Sequence, residues 1–180
     1  MRFLMPFILA LSFANKPFAQ LPLVNSHTRV YLVRHAEKET GNDPALTKDG
    51  MKRAGDLFRW MKEKKLKRIY VTKYRRTQMT GDSLRILLKI DTVHYAADTL
   101  CDDLVARITE HRDQGNTILI IGHSNTLPKI IRKLGVANYP QANIPDDEFD
   151  NLFLVTYKKS KAVIKKMKYG NKSGVSASMQ

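Results

Sequence analysis

At 180 residues the chain supports one domain with a full core and is too short for two comfortable ones. Its formal net charge of +14 favours anionic partners, whether phosphates, polyanions or acidic membranes. The single cysteine, Cys101, excludes an internal disulfide, and Leu104, Val105 and Ile108 share its face at helical spacing, which makes it a buried structural thiol rather than a nucleophile.

The chain opens with Met1-Arg2 and the apolar stretch "FLMPFILALSF" from Phe3 to Phe13, with small residues at Ser12 near its end and at Ala14 and Ala19 beyond it. The stretch falls short of the ~20 apolar residues that cross a bilayer. It reads as a secretion signal within residues 1–19, cut after Ala14 or Ala19, with Pro17 counting against the second site. A secreted or periplasmic product with no stable membrane anchor after cleavage is expected; an attached N-terminal arm is the alternative.

"RVYLVRH" (29–35) is the first strand, a run of β-formers that ends in Arg34 and His35. A polar loop, "AEKETGNDPA", leads to a helix over "LTKDGMKRAGDLFRWMKEKK", with Thr47 as N-cap and an apolar stripe of Met51, Ala54, Leu57, Phe58 and Met61. "KRIYVT" (67–72) is a second strand, and a helix starts at Arg75 or Arg76. "DTVHY" is a weaker third strand, followed by a helix from Asp98 to about Arg112. "NTILIIGH" is an entirely apolar strand closed by Gly122 and His123, and "TLPKIIRKL" is a helix stopped by Gly135. Residues 136–150 read as a long loop, "LFLVTY" and "AVIKKM" as a late hairpin, and residues 170–180 as a disordered tail. The folded domain is therefore expected over residues 20–169.

Four alternations of strand and helix predict an α/β fold, a three-layer α/β/α sandwich with a mainly parallel central sheet. Ligands of such sheets collect at the carboxyl ends of the strands, where Arg34-His35 and Gly122-His123 both fall. If those strands are neighbours, two histidines meet beside Arg34, with Arg75 or Arg76 arriving after the second strand. Such a cluster repels itself unless a dianion fills it, and planar guanidinium groups match phosphate oxygens while staying charged. A neighbouring cation pushes an imidazole toward its neutral, nucleophilic form. His35 attacking phosphorus would give a phosphohistidine, and the arginines and His123 would hold the equatorial charge.

These stretches resemble a known family. "LVRHAEK" is similar to the signature strand and loop of the histidine phosphatase superfamily, which also contains the phosphoglycerate mutases. "PALTKDG" resembles the segment that opens its first helix, "YVTKYRRTQMTGDSL" its second block, and "TILIIGHSNTLPKII" its third. In that register Arg76 and Thr80 take the family's places and Arg75 is an extra residue. The resemblance implies His35 as the phosphorylated nucleophile, Arg34 and Arg76 as the phosphate clamp and His123 as a phosphate-contacting cation. The length resembles small members without an inserted cap, and no cofactor or metal is implied. The substrate would be a phosphorylated small molecule or a phosphoprotein.

The family's glutamate motif for the proton donor is not recognisable. Asp98 in "AADTLCDD" is the first candidate, with an N-cap role as its alternative. Glu37 and Asp43 are the other contenders. Three rival functions are weaker. "GHSNT" lacks the final glycine of a hydrolase elbow, and no histidine follows Ser124. The basic runs "KEKKLKR" and "KKSKAVIKKMK" suit a non-catalytic polyanion binder, but no specific nucleic-acid motif accompanies them. A phosphomutase is disfavoured by the short chain, the missing glutamate motif and the export signal. Specificity is expected in the loops at 36–46 and 136–150.

Overall fold

A computed structural model describes residues 23–173. The expected signal peptide lies outside the described residues, as do residues 174–180 of the expected tail.

Ten elements follow in order: β1 (Arg29–Arg34), α1 (Lys48–Met61), β2 (Arg68–Thr72), α2 (Arg75–Leu87), β3 (Asp91–Tyr95), α3 (Asp102–Glu110), β4 (Thr117–Gly122), α4 (Leu127–Lys133), β5 (Asn151–Lys158) and β6 (Lys161–Lys168). They form one six-stranded sheet in the order β3-β2-β4-β1-β5-β6. The first four strands pair in parallel. β5 runs antiparallel to β1, and β6 closes the sheet as the second arm of a hairpin.

The central strands alternate apolar side chains toward both faces, and two cores result. Val30, Leu32, Ile118 and Ile120 face α3 and α4, where Leu104, Ile108, Leu127 and Ile131 meet them. Tyr31, Val33, Ile69 and Ile121 face the other way, onto Leu57 and Met61 of α1 and Leu84 of α2. The molecule is thus the expected α/β/α sandwich.

Local chemistry explains where sequence periodicity misplaced details. Thr47 caps α1 by accepting from Gly50 N at 3.0 Å. The inward stripe of α1 is Gly50, Arg53, Ala54, Leu57 and Met61, while Met51 is 56% exposed. Two contacts turn the helix this way. Arg53 is drawn inside by Glu37, and Gly50 stands where a Cβ would lie 2.1 Å from the Glu37 carbonyl oxygen. The helix expected from Asp98 starts at Asp102, because Cys101 sits at φ +61° and breaks any continuous helical backbone before it. Cys101 is buried against Leu104 and Ile108, as its spacing indicates.

At the amino end of the parallel strands a fully buried Asp113 accepts from Arg68 and from the Tyr70 hydroxyl, both at 2.5 Å. Residues 170–173, read from sequence as the start of a tail, are tied to the domain. Arg53 donates to the carbonyl of Asn171 at 3.0 Å, and Phe149 N donates to Ser173 Oγ at 2.9 Å.

Candidate active site

The sheet register assembles the site. Arg34 lies level with Gly122 in the β1–β4 ladder, and His35 N donates to the Gly122 carbonyl at 3.0 Å. His35 and His123 each stand one step beyond a strand end, so their rings meet edge-on with centroids 5.4 Å apart. Arg76, in the first turn of α2, brings Nη2 to 3.4 Å from His123 Nδ1. Arg34, His35, Arg76 and His123 therefore converge, although they come from three distant stretches of chain. Arg34, His35 and His123 are all buried.

Hydrogen bonds fix the tautomers. His35 Nδ1 lies 2.8 Å from the Ala36 carbonyl, an acceptor only, so Nδ1 carries the proton and Nε2 keeps its lone pair. His123 Nδ1 faces a donor, Arg76, so its proton sits on Nε2 and is given to Thr72 Oγ1 at 3.1 Å. The chain continues through Thr77 Oγ1 at 2.9 Å to the Tyr74 carbonyl at 2.8 Å. Thr80 accepts from Ala36 N at 3.0 Å and donates to the Arg76 carbonyl at 2.7 Å. It thus ties the loop after His35 to the helix that carries Arg76.

Both imidazoles are held neutral. Burial, then the charges of Arg34 and Arg76, push the His35 pKa down to about 3 against the support of the Ala36 carbonyl. Burial, then Arg76 and Arg34, bring His123 down to about 4.

The guanidinium groups are gripped from behind. Arg34 Nη1 donates to the carbonyls of Pro145 and Asp146, both at 2.9 Å, and its charge centre lies 4.2 Å from the centre of the Phe149 ring. Arg76 stands 4.3 Å from the Tyr74 ring, which is also edge-on to His123 at 5.4 Å. Yet Nε of Arg34 and Nε of Arg76 are both buried without a partner among the described residues. A buried donor left unsatisfied is costly unless something external accepts from it. Two such donors beside two neutral imidazoles leave room for an acceptor with several oxygens, which is how a phosphoryl group presents itself.

The carboxylates expected from sequence lie in different settings. Asp98 accepts from Asp102 N at 3.3 Å, ahead of α3. Glu37 is held on both oxygens by Arg53, at 2.6 to 2.9 Å. Asp43 accepts from Arg75 N at 2.9 Å and lies 3.8 Å from Arg76 Nη1. Asp146, which sequence reasoning did not single out, lies 3.5 Å from Arg34 Nη2 with an exposed side chain. Phe149 and the carbonyl cage around Arg34 were also missed. Backbone acceptors carry no side-chain signature, and the loop's Pro, Asn and Asp content marked only irregular structure.

Comparison with known proteins agrees with this geometry. Residues 30–98 match the family model described as "Histidine phosphatase superfamily (branch 1)". No curated protein matches the sequence. Among solved structures, SixA of Agrobacterium tumefaciens, named as a phosphohistidine phosphatase, superposes with a TM-score of 0.56 at 20% identity, covering 81% of this chain and 100% of its own. The alpha-ribazole phosphatase of Shigella flexneri gives a TM-score of 0.63 at 14% identity, covering 82% of this chain and 99% of its own. A phosphoserine phosphatase of Entamoeba histolytica gives 0.53 at 12% identity, covering 79% and 96% respectively. The signature blocks of β1 and β2 thus lie inside the stretch that matches the histidine phosphatase family model, and the fold around them is that of these solved structures.

Proposed function

We propose that the protein is a phosphomonoester hydrolase that needs no metal ion and works through a phosphohistidine on His35. One observation carries this reading: His35 Nδ1 is tied to the Ala36 carbonyl, which leaves a neutral Nε2 in a cluster where Arg34 Nε and Arg76 Nε have no partner among the described residues. The Nε2 lone pair attacks phosphorus, the ester P–O bond breaks, and the departing oxygen takes a proton. Water then attacks the phosphohistidine, the P–N bond breaks, and inorganic phosphate leaves with His35 restored. Arg34 and Arg76 hold the phosphoryl oxygens, and His123 takes up a proton on Nδ1 when the dianion arrives, turning from acceptor to donor.

For the proton on the leaving oxygen, Asp98 is the candidate drawn from sequence, and its bond to Asp102 N would have to be given up for that role. Asp146 suits the task better, because it reaches a clamp arginine while its carboxylate stays open to solvent. The substrate is a phosphorylated small molecule or a phosphoprotein, and the half-buried Tyr74 and Phe149 rings would flank its leaving group. Export to the periplasm or the medium is part of the same reading and rests on the N-terminal sequence alone.

Hydrolysis of a generic aryl phosphate tests the function. Wild type releases phosphate with or without a chelator, and His35→Ala does not. The alternative, a basic polyanion-binding domain, predicts no release by either protein and a steep loss of polyanion binding with salt.

A further inference from the structure

The segment after β6 bridges the two loops that border the candidate site. The chain turns at Gly170, where φ is +66° and a Cβ would lie 2.7 Å from Asp56 Oδ2, so the turn favours glycine on both counts. The turn brings residues 169–173 into contact with both α1 and the loop before β5. On the α1 side, Arg53 donates from Nη1 to the carbonyls of Tyr169 and Asn171, while its Nε and Nη2 grip Glu37, two residues after His35. On the other side, Ser173 Oγ accepts from Phe149 N at 2.9 Å, and Ser173 N donates to Asp150 Oδ2 at 3.3 Å.

The loop held in this way is the one that cages Arg34. The carbonyls of Pro145, Asp146 and Glu148 all accept from Arg34 Nη1, and the Phe149 ring covers the guanidinium. A guanidinium is planar, so fixing one nitrogen and one face also fixes the direction of the unpartnered Nε. The loop has little apolar anchorage of its own: between the buried Ile144 and the buried Asp150 every side chain is exposed or half-buried. Polar pins hold its end instead. Asn151 Nδ2 donates to Glu148 Oε2 at 2.6 Å, and Lys168 Nζ donates to Asp150 Oδ1 at 2.7 Å. Both of those come from the sheet and act on side chains. The Ser173 hydroxyl alone among these pins acts on the backbone of Phe149, the residue whose ring lies on Arg34.

We propose that residues 169–173 are a clasp that positions Arg34 toward the phosphoryl group, and that Ser173 is the positioning residue that closes it. The proposal rests on the phosphatase reading of the histidine cluster, and it adds that the clamp geometry is set from the segment after β6. Ser173 acts through Phe149 and Arg34, not on the reacting atoms.

Steady-state hydrolysis of an aryl phosphate by the whole 180-residue chain and by its Ser173→Ala, Ser173→Thr and Lys172→Ala variants tests this. Ser173→Ala should lower kcat about tenfold with KM nearly unchanged, as a slight misplacement of a charge-holding group does. Ser173→Thr keeps the hydroxyl and should recover most of the rate. Lys172→Ala, which alters only an exposed neighbour, should match wild type. Melting temperatures should hardly differ, and amide exchange at Phe149 should quicken in Ser173→Ala alone. Quickened exchange with unchanged kcat, or an equal fall in kcat in the threonine or Lys172 variant, would overturn the proposal and leave the phosphatase reading in place. No phosphate release by wild type would overturn both.

Discussion

The imidazole rings of His35 and His123 lie 5.4 Å apart, edge to face, because β1 and β4 are parallel neighbours in a register that sets Arg34 opposite Gly122. Neither ring is charged, since burial and the two nearby guanidinium groups hold their pKa values at about 3 and about 4. That neutrality has a consequence for stability. In the unfolded chain each imidazole takes a proton near pH 6.5, whereas in the fold it does so only below about 4. The contribution is complete above pH 6.5 and is lost as pH falls toward 4, at up to about 1.4 kcal/mol per pH unit for each histidine. Chemical denaturation at pH 7 and pH 5 should show this fall, and the fall should shrink in His35→Gln and His123→Gln.

Replacing Arg76 by lysine keeps a charge but removes the planar fork. Its Nε is a buried donor with no partner among the described residues, and its Nη2 is the group that sets the His123 tautomer. The variant should lose about 10²-fold in kcat/KM on an aryl phosphate, a size typical of removing one preorganised donor. Melting temperature should hardly change. A loss confined to KM would place Arg76 in ground-state binding alone.

The donor carboxylate can be identified by leaving-group dependence. Asp146→Asn should lower kcat about tenfold or more on an alkyl phosphate, while hydrolysis of an aryl phosphate with a good leaving group barely changes. Asp98→Asn keeps an oxygen that can accept from Asp102 N, so both stability and activity should be retained. The reverse pattern would return the role to Asp98.

Glu37 and Arg53 form a pair with Arg53 almost fully buried. Glu37 raises the Arg53 pKa despite the opposing effect of burial, so the guanidinium stays charged inside. It also donates to the carbonyls of Tyr169 and Asn171. Arg53→Ala strands a carboxylate and frees these carbonyls, and should cost about 3–5 kcal/mol. Denaturant midpoints of the variant and of the Glu37→Gln/Arg53→Met double variant, expected to recover part of the loss, check this.

Much of the fold was legible because the strands of this sheet are nearly pure apolar runs. "TILIIG" can be little else than a strand buried on both faces, and its glycine and histidine mark the carboxyl end. The four convergent residues were readable for the same reason: each is attached to the end of such a strand or the first turn after one. What escaped detection depends on groups without a sequence pattern. Arg53 looks like a surface residue until Glu37 is seen to face it. The carbonyls of Pro145 and Asp146 grip Arg34 through backbone atoms any residue could supply. Phe149 stacks on Arg34 only because the loop folds back over β1. Asp98, with its place before a helix, read equally as acid or cap, and its distance in sequence from the histidines offered no way to choose.

The most direct measurement is rapid acid-free quenching of the enzyme with a labelled phosphomonoester, followed by assay for protein-bound phosphate that is stable to alkali and released by acid. The account predicts label on wild-type protein, located on the imidazole of residue 35, and none on His35→Ala. Turnover without any acid-labile protein-bound phosphate, or equal labelling of the alanine variant, would contradict it.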